Sequence, residues 1–167
     1  MLLLASWSRR RWLSVAGASC ALAAFGTQAA GVSPTTVEVW KDPQCGCCQD
    51  WIEHMQAHGF SVQVHSSGNA AVRARLGLPK ELGSCHTALV AGYLIEGHVP
   101  AVDVKKLLAQ KPQALGLTVP GMPVGSPGMD GPVYQERKDP YDVLLVGHNT
   151  GSLMQPQVRT RVFTSYR

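Results

Sequence analysis

Apolar and polar residues alternate over 36–40, Thr-Val-Glu-Val-Trp, and this β-rich run predicts a first strand. Lys41-Asp42-Pro43-Gln44 is turn chemistry. A helix is expected over 47–58, where Cys48, Trp51, Ile52 and Met55 share one apolar face and Gly59 supplies the stop. A second strand is predicted over 60–64 and a second helix over 69–76, with Asn69 as its cap and Gly77-Leu78-Pro79 ending it. Residues 87–90 and 93–96 flank Ala91-Gly92 and predict a hairpin on a tight turn. A last helix is expected over 102–110, with Pro100 just before it and Leu107 and Leu108 facing inward. Residues 142–146 and 161–165, separated by the turn at 148–151, predict a closing hairpin. There are no internal repeats.

The order strand, helix, strand, helix, strand, strand, helix is an α/β (α+β) arrangement, and a βαβ unit followed by a ββα unit is the thioredoxin-like plan. In that plan the first helix begins with a Cys-x-x-Cys motif, the place that Cys45-Gly46-Cys47-Cys48 occupies here. The expected organisation is an export signal over 1–29, a thioredoxin-like core over 35–111, and an extension over 112–167. Within the extension, residues 116–132 hold five glycines and four prolines, a composition that argues against regular structure. Met122 and Met129 sit within its Pro-Gly-rich turns. A long irregular segment of this kind is usually functional or a linker.

Charge adds an exclusion. The chain of 167 residues carries a formal charge of +4, but Arg9, Arg10 and Arg11 supply three of the positive charges and no acid precedes residue 31. Beyond that segment 12 Lys and Arg face 11 Asp and Glu, which removes the basic patch that nucleic-acid binding requires. The arginines, the apolar run over 15–25 and the small residues at 27–30 match a cleaved export signal, of twin-arginine or ordinary secretory type. The run is too short and too rich in Ala and Gly for a stable membrane span. Cys20 falls inside the signal and leaves with it.

Four cysteines follow: Cys45, Cys47, Cys48 and Cys85. Three within four residues argue against structural disulfides and for metal or redox work, since neighbouring Cys47 and Cys48 are poorly placed to bridge each other. A cysteine at a helix N-terminus meets the positive end of the helix dipole and is biased toward thiolate. That suits disulfide exchange and metal ligation equally. In glutaredoxin-like sequences a Val-Pro pair precedes the third strand and packs on the Cys-x-x-Cys. Aligning Gly92 with the hairpin glycine of that pattern puts Cys85 and His86 in its place. Sulfurs and an imidazole then converge on one spot, with His98 in reach. Cys85 also has a bland reading as a small buried hydrophobe.

Thiolate and thioether donors select Cu(I), whereas zinc sites are usually closed by Cys and His. Met122 and Met129 are therefore expected either to close over the cysteines as donors or to plug their loop into the core. His54 and His58 have the i,i+4 spacing of a helical metal pair but lie off the apolar face, and a solvated surface is expected for them.

These residues resemble the CopG-like proteins of bacterial copper-resistance systems over about 35–147. The resemblance rests on Cys45-Gly46-Cys47-Cys48 with Trp51, on Ser84-Cys85-His86-Thr87, and on Gly92-Tyr93-Leu94-Ile95-Glu96-Gly97-His98-Val99-Pro100. It extends through the Val119 to Met129 segment and Pro140-Tyr141-Asp142-Val143. It implies a periplasmic thioredoxin-like protein that binds copper and takes part in its redox handling, with Cys45, Cys48 and Cys85 as ligands. Residues 148–160 lie outside it as a lengthened hairpin turn. A thiol–disulfide oxidoreductase using Cys45 as nucleophile and Cys48 as resolving thiol stays open as an alternative. So does a metallochaperone that delivers metal by protein contact.

Overall fold

The computed structural model describes residues 34–152, 154, 155 and 157–167, so the expected export signal lies outside the described residues. Seven strands form one mixed sheet in the order β2-β1-β3-β4-β5-β6-β7. They are β1 (Thr36–Lys41), β2 (Ser61–His65), β3 (His86–Val90), β4 (Tyr93–Glu96), β5 (Gly116–Thr118), β6 (Tyr141–Val146) and β7 (Thr160–Tyr166). Among the described residues three α-helices accompany them: α1 (Gly46–Ala57), α2 (Ala70–Arg75) and α3 (Ala101–Gln110). β2 runs parallel to β1, and β5 parallel to β4; the remaining neighbours are antiparallel. Among the described residues no helix is long and apolar enough to cross a membrane.

Successive strand residues face opposite sides of a sheet, and the core divides accordingly. One cluster joins Trp51, Ile52 and Met55 of α1 and Val104 and Leu107 of α3 to Val37, Val39, Ala88, Ile95, Leu117 and Leu145. Their chain neighbours Leu94 and Val146 belong to a second, smaller cluster with Leu78. The two longer helices thus cover one face, and the chain after α2 covers the other. Fully burying a side chain such as Ile or Leu contributes about 1.5–3 kcal/mol, so the first face dominates the stability.

Three expectations change. The segment 116–132 is not wholly irregular: its first three residues form β5. Its prolines begin only at Pro120, and Leu117 and Thr118 before them are ordinary strand residues. Gly116 permits the pairing, because a Cβ there would fall 1.7 Å from the carbonyl oxygen of Leu94. Asn69 precedes α2 but does not cap it; its amide instead donates to Ser84 O and Thr87 Oγ1 at 3.1 and 3.3 Å. His54 is half-buried rather than solvated, and its Nε2 accepts the backbone N–H of Ala101 at 3.1 Å. Pro100, at the N-cap of α3, has no side-chain acceptor, so an imidazole from α1 serves the helix end.

Candidate metal centre

Asp42 starts the turn that delivers the first cysteines. Its side chain accepts the Gln44 N–H at 2.8 Å and its carbonyl accepts the Cys45 N–H at 3.1 Å. Cys45 then stands at the N-cap of α1, and Cys48 lies one turn further on and fully buried. Three residues apart across the first turn, their Cα atoms are 5.4 Å apart, and the two are joined as a disulfide. This corrects the expectation that the crowded cysteines avoid pairing: the argument from adjacent Cys47 and Cys48 does not extend to Cys45 and Cys48. Cys47 and Cys85 are free and partly buried.

The opposite wall comes from the sheet. Cys85 immediately precedes β3, His86 begins it, and His98 follows β4. Cys47 Sγ lies 3.6 Å from Cys45 Sγ and 3.9 Å from Cys85 Sγ. Two sulfurs bound to one ion at about 2.3 Å each can be no more than about 4.6 Å apart, so this spacing fits shared ligation. Cys85 Sγ also lies 3.1 Å from His98 Nε2 and 3.4 Å from His86 Nδ1. Two donor groups result, Cys45-Cys47-Cys48-Cys85 and Cys85-His86-His98, with the donor atoms of each group within 4.8 Å of one another. Cys85 belongs to both.

The tautomer of His98 follows from its partner. Pro127 O can only accept, so Nδ1 at 2.8 Å carries the proton, and Nε2 points a lone pair at Cys85. Burial holds the His98 ring below the ordinary imidazole range, against the raising effects of Pro127, Asp130 and Asp50. His86 is lowered much further, first by complete burial and then by His98. Its ring lies 4.4 Å from Trp51 centre to centre, and Trp51 Nε1 donates to Val99 O at 2.9 Å. His86 Nε2 is buried without a hydrogen-bond partner among the described residues, an arrangement proteins generally avoid outside functional sites. Burial, then Cys47, pushes the Cys85 thiol up to about 12, so without metal it stays protonated, and ligation there must release a proton.

The Pro-Gly segment after β5 is fastened to the sheet wall and comes close to the start of α1. Gly121 N–H donates to Gly83 O at 3.1 Å, the Ser84 hydroxyl donates to Gly121 O, and Pro127 holds His98. Gly128 has a φ of +84°, and a Cβ there would stand 2.6 Å from Cys47 O and 2.8 Å from Trp51 N. Met129 is buried, with its sulfur accepting the Tyr134 hydroxyl at 3.2 Å, whereas Met122 is 51% exposed. The structure therefore brings Cys45, Cys47, Cys48, Cys85, His86 and His98 together and separates the surroundings of the two methionines.

Sequence reasoning assigned no role to Glu96, which lies fully buried behind Cys85 and pairs with Arg73 at 2.9 Å. Burial raises its carboxyl, opposed by Thr87, Ser84 and Arg73. The available signal was an acid at the end of an otherwise apolar strand.

Residues 82–129 match a family described as "Protein of unknown function, DUF411". No curated protein matches the chain. Two solved structures of copper resistance protein CopG, forms 1 and 2, are each 41% identical to it and cover 80% of it. The alignment takes in 98% and 99% of those chains, with TM-scores of 0.67 and 0.68. With that identity across nearly the whole length of both structures, the chain belongs to the CopG family of copper resistance proteins.

Proposed function

We propose that this protein is an exported, thioredoxin-like copper-binding protein that holds Cu(I) between the start of α1 and the β3–β4 wall. The observation that carries the reading is the convergence of four cysteine sulfurs, from two parts of the chain, within 4.8 Å. Thiolates are soft donors and favour Cu(I). With the Cys45–Cys48 bond reduced, Cys45, Cys47, Cys48 and Cys85 form the sulfur set; with it closed, Cys47 and Cys85 remain as thiol donors, and His98 and His86 add nitrogen on the Cys85 side. Of the two thioethers in the covering segment, Met122 is the proposed accessory donor, because the sulfur of Met129 already takes the Tyr134 hydroxyl. The core over 35–111 carries the site and the extension over 112–167 covers it. The segment over 1–29 directs export to the periplasm and is removed, which N-terminal sequencing of periplasmic protein checks.

The Cys45–Cys48 disulfide adds redox handling to this reading. Closing the pair from two thiols releases two electrons and two protons, enough to reduce two Cu(II) ions to Cu(I). Anaerobic competition between the reduced protein, zinc and a Cu(I) chelator of known affinity tests the metal. Copper is expected to displace zinc; stoichiometric zinc retained while Cu(I) is available would overturn the assignment. The same disulfide favours one second reading, a thiol–disulfide oxidoreductase, which requires only Cys45 and Cys48.

A further inference from the structure

Beside the cysteine wall lies a polar cluster built on the buried Glu96, and only Ser84 Oγ, 3.9 Å from Cys85 Sγ, reaches a donor atom from it among the described residues. Glu96 ends β4 opposite Thr87 of β3 and is fully enclosed. Its Oε1 accepts the Ser84 backbone N–H at 2.7 Å and Arg73 Nη1 at 2.9 Å. Its Oε2 accepts the Thr87 hydroxyl at 2.6 Å. Arg73 Nη1 also donates to Ser84 O at 3.1 Å, where Asn69 Nδ2 arrives at the same distance. Both backbone groups of Ser84 and the side chain of Thr87 are thereby tied to one carboxylate and its partners. Cys85 and His86 are the two residues between those anchors.

A buried ion pair is a poor device for stability alone, because removing two charges from water offsets most of their attraction. The bonds around this one converge on the residues flanking Cys85. Charge-assisted hydrogen bonds to a backbone N–H fix position tightly. We infer that Glu96, braced by Arg73, is a positioning residue that holds Cys85 Sγ at its place between Cys47 and His98. The copper consequence rests on the proposed function, whereas the positioning itself does not.

The test uses the full chain with its disulfide intact, and it reads each cysteine separately. Iodoacetamide labelling followed by peptide mass mapping gives the rate at Cys85 relative to Cys47. Glu96→Gln is expected to raise that ratio about tenfold, the factor that loss of a charge-assisted hydrogen bond corresponds to. After reduction, its Cu(I) affinity is expected to fall about tenfold or more, as for other groups that orient a metal ligand. Thr87→Val removes one anchor with little change of shape and serves if the first variant does not fold; Thr87→Ser should restore the wild-type ratio. Asp103→Asn is the control. That carboxylate is also buried, but among the described residues accepts only from Thr164 and Tyr166, at 2.6 and 2.7 Å. It should lower the melting temperature and leave the Cys85 ratio unchanged. An unchanged ratio in Glu96→Gln and Thr87→Val, or an equal rise in Asp103→Asn, would overturn the inference. Failure of the wild-type protein to bind Cu(I) would instead strike the proposed function and leave the labelling ratios readable.

Discussion

Cys45, Cys47 and Cys48 come from one helical turn, whereas Cys85, His86 and His98 come from the ends of two neighbouring strands, β3 and β4. The helical side is local: a four-residue turn places it, no side chain caps it, and two of its sulfurs are joined as a disulfide. The sheet side is long-range and fixed from behind by Glu96, from above by Pro127 and from the side by Trp51. The covalent bond of the helical side lies within a single turn, whereas the sheet-side residues are held by partners from other segments. On the proposed function, the difference amounts to a division of labour in which one wall would change with redox state and the other hold the geometry.

Cys85→Ser is the sharpest way to break that contrast, because Cys85 is shared by both donor groups. Serine is nearly isosteric but a hard, poor donor to Cu(I). The fold should survive, and Cu(I) affinity should fall by about a hundredfold or more, beyond the range found for groups that merely orient ligands. Reduction of a model disulfide by Cys45 and Cys48 should persist in the same variant. Retained copper binding, measured by chelator competition, would remove Cys85 from the site and favour the oxidoreductase reading.

The methionines sharpen the comparison less forcefully. Met122→Leu should weaken Cu(I) by less than loss of a thiolate and leave stability unchanged, since the residue is half-exposed. Met129→Leu should leave affinity unchanged and cost about 1 kcal/mol in urea unfolding, within the usual range for volume-conserving swaps. The reverse pattern would exchange their roles.

The smallest expected effect lies on the outer side of α1. Burial, then His58, lowers the His54 pKa below its ordinary value of 6.5, against the pull of Asp130. Below pH 6.5 the unfolded chain therefore binds a proton that the folded protein resists, and stability falls as pH drops toward the lowered value. Above 6.5 this contribution is flat. His54→Gln keeps an acceptor for the Ala101 N–H but does not titrate. Its urea midpoints at pH 5.5 and 7.5 should differ less than those of the wild type; an equal difference would assign the acid sensitivity to other groups.

Most of the helical wall was legible in the sequence, because α1, its apolar stripe and its cysteines are all local signals. The strands were legible too, through alternation at 36–40 and the Ala91-Gly92 turn. What escaped depends on partners distant in the chain. Three residues are enough for β5 only because β4 and β6 lie on either side. Asn69 had plausible local partners in the first turn of α2, but Ser84 and Thr87 drew its amide away. His54 lies off the stripe of α1, yet α3 covers it. Glu96 was visible as a letter within a motif, and its meaning required knowing that Ser84 and Thr87 close around it.

The approach of Gly128 to the start of α1 has a consequence for how this protein tolerates change. Any side chain at 128 must displace the Cys47 carbonyl or the Trp51 amide while adopting a backbone conformation that other residues rarely accept. Six positions earlier, Met122 faces open space on the same segment. A saturation scan read by folding rather than by copper binding should thus find neighbouring extremes, a nearly empty row at 128 and a well-filled one at 122. Within so short a stretch, the capacity to vary would follow the distance of each backbone atom from the cysteine turn.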